Sequence, residues 1–125
     1  MQKLIFIVDD NDANLAFAAS VLENEYRVLT MPSAQRMFLL LEKKRPDMIL
    51  LDVEMPDMSG FDAIARLKAN PEWEKIPVIF LTGWIDGKLL SDAQELGSIE
   101  VIPKPINPSV LLNCVKKSTL NNEPP

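Results

Sequence analysis

The chain contains no histidine, which removes imidazole metal sites, Ser-His and Cys-His nucleophile pairs, and any phosphohistidine carried by the chain itself. Its one cysteine, Cys114, cannot form an intrachain disulfide. It falls at helical spacing among Val110, Leu111 and Val115, so it reads as a small buried hydrophobe with no redox role. No apolar run approaches the ~20 residues of a membrane span, and Met1-Gln2-Lys3 leads straight into a strand-like run lacking the features of a signal peptide. A cytoplasmic address without membrane contact is expected. Positive charge is also short: 13 basic against 18 acidic residues give a net charge of -5. That is the wrong sign for a domain that neutralises nucleic-acid phosphates, so direct nucleic acid binding is not expected. At 125 residues and 14.1 kDa, with 47% hydrophobic and 25% charged residues, the chain suits one soluble domain.

What is present is an alternation of strand and helix patterns, repeated five times, which implies a parallel sheet. The first strand spans about Lys3 to Asp9, followed by a helix with Leu15, Ala18, Ala19 and Leu22 on one face and capping candidates Asn11 and Asp12. Strand two is Arg27 to Met31. Helix two starts near Ser33, repeats the spacing in Ala34, Met37, Phe38 and Leu41, and cannot pass Pro46. The Lys43-Lys44-Arg45 cluster reads as charge compensation at that helix end. Strand three, Met48 to Asp52, is apolar on both faces and is expected at the sheet centre. A loop from Val53 to Ser59 with turn residues Pro56, Asp57 and Gly60 precedes a helix reaching Lys68 through Phe61, Ile64 and Leu67. The remaining elements are a strand at Val78 to Leu81, a helix at Lys88 to Leu96, a strand at Ile99 to Ile102, and a last helix opened by Asn107-Pro108 and running to about Thr119.

Chemistry gathers at the strand ends. Asp9-Asp10 closes the first apolar run, Asp52 the third, Thr82 the fourth, and Lys104 follows the fifth. In an open parallel sheet, right-handed crossovers bring every strand-to-helix loop to the carboxyl edge. In the strand order 2-1-3-4-5 the crevice lies between strands one and three, roughly 5 Å apart. Strand two, ending in Thr30-Met31, sits at the edge and carries no comparable group. Three carboxylates so close repel by roughly 1 to 4 kcal/mol per pair, so a positive charge must compensate. An all-oxygen cluster suits Mg²⁺, with Mn²⁺ as a substitute, and Lys104 offsets a further charge. Asp52, at the centre, is equipped to act as a nucleophile toward a phosphoryl group.

These residues in this order, with the segments Ile7-Val8-Asp9-Asp10, Ile49 to Gly60, Thr82-Gly83 and Lys104-Pro105, resemble the receiver domain of bacterial two-component response regulators across Met1 to Thr119. The resemblance implies a flavodoxin-like α/β fold, a doubly wound (βα)5 three-layer sandwich around the 2-1-3-4-5 sheet. It makes residues 1–120 one receiver domain and 121–125 a flexible tail or the start of a linker to an output domain beyond Pro125.

By position it implies that Asp52 is phosphorylated, and that Asp10, Asp52 and the backbone carbonyl of Glu54 bind Mg²⁺ with Asp9 acting through a water. Lys104 would grip the phosphoryl group, Thr82 would move to hydrogen-bond it, and Gly83, small enough to leave room, would supply a backbone N–H. The Lys104-Pro105 bond is usually cis in the family, which orients the lysine. The implied partners are a sensor histidine kinase or phosphotransfer protein acting in trans, and a second copy or output partner engaged by the fourth helix, fifth strand and fifth helix. The domain is then a phosphoacceptor signalling unit rather than an enzyme, catalysing only its own phosphorylation and slow dephosphorylation.

Three positions depart from the family pattern. Val101 replaces the aromatic switch residue often found three places before the lysine, so no ring rotation there can couple Thr82 to the output face. Glu54 and Trp84 occupy places where the family varies side chains controlling water access, and a bulky Trp84 is expected to slow hydrolysis; its other readings are core and partner contact. Met55 and Met58 are expected to pack on neighbouring apolar surface. Two alternative functions exist. A haloacid dehalogenase-type Mg²⁺ phosphatase also uses a strand-end aspartate, but on its first strand and with a second Asp where this chain has Glu54. A phosphorylation-independent docking module on the same fold is opposed by the intact acidic cluster, Thr82 and Lys104.

Overall fold

The computed structural model describes residues 2–121. Ten elements alternate along the chain: β1 (Leu4–Val8), α1 (Asp12–Leu22), β2 (Arg27–Met31), α2 (Ala34–Leu41), β3 (Met48–Asp52), α3 (Gly60–Lys68), β4 (Val78–Thr82), α4 (Gly87–Leu96), β5 (Glu100–Pro103) and α5 (Pro108–Asn121). The strands pair in parallel in the order β2-β1-β3-β4-β5, as the sequence predicts. Boundaries differ from expectation by a residue or two; α5, for example, runs to Asn121 instead of Thr119. The remainder of the expected tail, 122–125, lies outside the described residues.

β1, β3 and β4 are buried at every position because helices cover both faces of the sheet. Strand alternation then splits the apolar side chains into two cores. Phe6, Val8, Ile49, Leu51 and Phe80 face α2, α3 and α4 residues such as Met37, Ile64 and Ala93. Ile5, Ile7, Leu50 and Leu81 face Leu15, Ala18 and Leu22 of α1 and Leu111 and Val115 of α5. Full burial of one such leucine or isoleucine contributes about 1.5 to 3 kcal/mol, so the central strands are the most firmly held part of the molecule.

The helix starts follow the capping logic of the sequence. Asn11, Ser33, Ser59, Asp86 and Asn107 each accept a backbone N–H from three residues on. Gly97 closes α4 at φ 98°, a left-handed conformation that favours glycine. α2 ends at Leu41, so Lys43-Lys44-Arg45 lies in the connection beyond it, where Arg45 donates to the carbonyl of Glu72. Met55 is buried in the first core and Met58 packs against it. Cys114 is partly buried, and burial pushes its thiol up to about 11.

Candidate functional site

Register decides which loops meet. Val8 pairs with Leu51 across β1 and β3, so the next residues, Asp9 and Asp52, leave the sheet side by side. Asp52 is level with Leu81 of β4, and Thr82 with Pro103 of β5, which brings Thr82 and Lys104 to the same edge. The N–H of Lys104 donates to the carbonyl of Thr82 at 2.8 Å. Each of these strands thus hands its last residue, or the one just after it, to one crevice.

Within it, Asp9, Asp10 and Asp52 offer carboxylate oxygens within 4.8 Å of one another. Asp9 and Asp52 are buried, and Asp10 is exposed. Lys104 Nζ lies 2.9 Å from Asp9 Oδ2 and 3.2 Å from Asp52 Oδ2, a tie to both acids where the sequence suggested compensation of one further charge. Asp9 Oδ1 accepts the N–H of Asn11 at 2.9 Å, and Asp52 Oδ1 that of Glu54 at 3.2 Å. Asp9 Oδ2 is buried and, among the described residues, has no partner besides the ammonium. Two buried acids sharing one cation leave a negative excess, and a hard cation reached by Asp10 from the solvent side fits such a donor set.

Electrostatics carry the same mark. Burial, then the charge of Asp9, pushes the Asp52 carboxyl from 3.8 up to about 6, against the pull of Lys104 and the Glu54 N–H. For Lys104, burial acts to lower the pKa, but the hydrogen bond to Asp9 and the charges of Asp52 and Asp9 outweigh it and hold the ammonium above the ordinary lysine value. A carboxylate of raised basicity with a cation beside it can attack an electrophilic phosphorus while its charge is held in place.

The neighbouring groups are less uniform. Thr82 is buried, and its hydroxyl donates to the Trp84 carbonyl at 3.0 Å while accepting the Trp84 N–H at 3.2 Å. Trp84 is 61% exposed, which removes the core reading for that side chain. A Cβ at Gly83 would meet nothing within 4 Å among the described residues, so open space lies beside this residue. Val101 is half-buried against the first core, and the side chain of Glu54 is exposed. The Lys104-Pro105 peptide is cis.

The sequence marks Gly60 only as a turn residue, yet a Cβ there would lie 2.5 Å from the Asp52 carbonyl oxygen and 2.9 Å from Val53 Cα. Its N–H donates to the Val53 carbonyl at 2.7 Å. The start of α3 therefore presses directly on the backbone that carries Asp52.

Residues 5–116 match the response regulator receiver domain. The chain belongs to that family. As a receiver domain it is a signalling domain, of a kind that binds Mg²⁺ at an acidic pocket, and the three aspartates fit that pocket. It is 39% identical over 106 residues to a Vibrio cholerae protein named a probable cyclic di-GMP phosphodiesterase, covering 85% of this chain but only 24% of that protein. It is 29% identical to sporulation initiation phosphotransferase F of Bacillus subtilis, covering 94% of each. Among solved structures, the BeF3-activated receiver domain of DrrB from Thermotoga maritima superposes with a TM-score of 0.84 at 30% identity, covering 97% of this chain and 99% of that one. Among the described residues no helix is long and apolar enough to cross a membrane.

Proposed function

We propose that this receiver accepts a phosphoryl group on Asp52 from a phosphohistidine of a sensor kinase or phosphotransfer protein, or from a small acyl phosphate, and that the modification changes the surface it presents to partners. The observation that carries this reading is the Lys104 ammonium bridging Asp9 and Asp52, 2.9 and 3.2 Å away, within a cluster of three carboxylates. An Asp52 oxygen forms the new bond to phosphorus as the P–N bond of phosphohistidine, or the P–O bond of the acyl phosphate, breaks. The departing imidazole takes up a proton or the carboxylate leaves as the anion.

Asp10, Asp52 and the Glu54 carbonyl would hold Mg²⁺, with Asp9 behind a water. When bound, the cation neutralises the carboxylates and the phosphoryl oxygens that approach them. Lys104 can follow the phosphoryl group from its present position. Thr82 reaches it by exchanging its bond to the Trp84 carbonyl for one to a phosphoryl oxygen, which pulls on the loop into α4. Gly83 contributes a backbone N–H, and Trp84 screens the site from water. The added charge of about -1.5 to -2 shifts the population of a surface formed by α4, β5 and α5. That surface is proposed to serve a homodimer, a downstream partner or an output domain, with the protein acting in the cytoplasm and without contacting nucleic acid itself.

The test is incubation with acetyl phosphate and Mg²⁺, followed by intact-mass measurement and tryptophan fluorescence. One phosphoryl group per chain, absent in Asp52→Asn, is the expected outcome. Sustained turnover of phosphate esters would instead favour the phosphatase reading. Beryllofluoride with Mg²⁺ that leaves the Trp84 signal and α4 unchanged would favour the phosphorylation-independent module.

A further inference from the structure

α2 buries Ala34, Met37, Phe38 and Leu41, and its outer side carries a second stripe. Arg36, Leu39, Leu40 and Lys43 fall at i, i+3, i+4 and i+7, the last in the turn just past the helix. Leu39 is 62% exposed, and Arg36 and Lys43 are exposed with no carboxylate partner among the described residues. The stripe borders a groove of about 420 Å³ against Thr30 and Met31 of β2, and among the described residues no acidic side chain lines it. β2 is an edge strand of the sheet, so none of the other strands extends beyond it on that side.

A single exposed leucine is ordinary. Here it sits in a pattern of cation, apolar pair and cation spanning two helical turns, roughly 10 Å, on a chain whose net charge is -5. An acidic segment is therefore repelled by the molecule as a whole and attracted at this groove.

We propose that the α2–β2 face docks an amphipathic helix of a protein partner, one that sets two carboxylates two turns apart around a pair of leucine-sized side chains. The carboxylates meet Arg36 and Lys43, and the apolar pair meets Leu39, Leu40 and the floor at Met31. Such a helix packs along the stripe as helices pack on one another, ridge into groove. The contact is small, which places it among transient interactions.

The probe is a synthetic helical peptide with a Glu-x-x-Leu-Leu-x-x-Glu stripe, titrated into the full ¹⁵N-labelled chain without phosphodonor. A peptide of the same composition in scrambled order serves as control. Amide shifts should be confined to residues 30–43, saturate below about 1 mM, and weaken as salt is raised. Leu39→Ser and the double reversal Arg36→Glu with Lys43→Glu should each weaken binding at least about fivefold. Both variants should take up phosphate from acetyl phosphate at the parental rate, which separates this surface from the phosphoacceptor chemistry and shows that they are folded. The proposal fails if no shifts occur by about 1 mM, if shifts map elsewhere, or if the scrambled peptide or the variants bind equally well. It fails too if duplex DNA or anionic vesicles perturb the stripe while the peptide does not.

Discussion

Asp52 is costly to the fold. Its carboxyl titrates near 6 in the folded chain against 3.8 in an unperturbed one, because it is buried beside Asp9. Between about pH 4 and pH 6 the folded chain keeps a proton that the unfolded chain has lost, so stability falls as pH rises through that window and stays lower above it. A difference of that size corresponds to roughly 3 kcal/mol at most, and sharing of charge with Asp9 and Lys104 makes about 1 to 3 kcal/mol the reasonable range. Asp52→Asn is therefore expected to stabilise the metal-free chain, with the gain growing from pH 4.5 to pH 7.5 in urea unfolding with chelator present. An equal difference at both pH values would refute this. At Gly60 the expectation has the opposite sign. A Cβ would sit 2.5 Å from the Asp52 carbonyl oxygen, and both neighbours are backbone, so relief requires α3 or the β3 end to move. Gly60→Ala should cost about 1 to 3 kcal/mol in urea unfolding and should also slow labelling of Asp52; a variant with parental stability and labelling would show that the backbone yields freely.

At the level of elements, the loop between β3 and α3 does more than connect them. Asp57 Oδ2 accepts the N–H of Gln35 at 3.1 Å, in the first turn of α2, where backbone donors lack helical partners. Ser33 takes the N–H of Arg36 at 3.2 Å, so α2 is capped partly by its own residue and partly by the loop that follows Asp52. Asp57→Ala should cost about 0.5 to 1 kcal/mol, the low end for a lost cap because the contact is exposed. It should also raise hydrogen exchange at Gln35 selectively, and uniform exchange across the molecule would assign the effect to global stability instead. The sequence could not reveal this bond. Asp57 there is only a favourable turn residue, and its partner lies 22 positions away. The helix caps at Asn11 and Asn107 are legible because a cap acts within three residues, and the strands because burial on both faces leaves runs such as Met48 to Leu51 without polar interruption.

For the molecule as a whole, parallel topology made most of the site readable. Once all strands run one way, the residues after Val8, Leu51, Leu81 and Pro103 must share an edge, and register then sets Asp9 beside Asp52. What stayed hidden depended on side-chain reach and close backbone approach: Lys104 spanning two acids, Trp84 turned to solvent, and the closeness of Gly60 to the Asp52 backbone. The same architecture couples the site to global stability. Both cores converge on β1, β3 and β4, and the ends of β1 and β3 carry the acids, so a cation binding only the folded cluster stabilises the entire cooperative unit. At a hundredfold excess over its dissociation constant, Mg²⁺ should add about 2.7 kcal/mol, roughly a 10 °C rise in Tm for a domain of this size, and EDTA should reverse it. Asp10→Asn and Asp52→Asn should lose most of that rise, whereas Asp57→Ala, which touches no member of the cluster, should keep it. An equal rise in all of these variants would mean that the cation binds elsewhere on this acidic surface, and the three aspartates would then lose their claim to it.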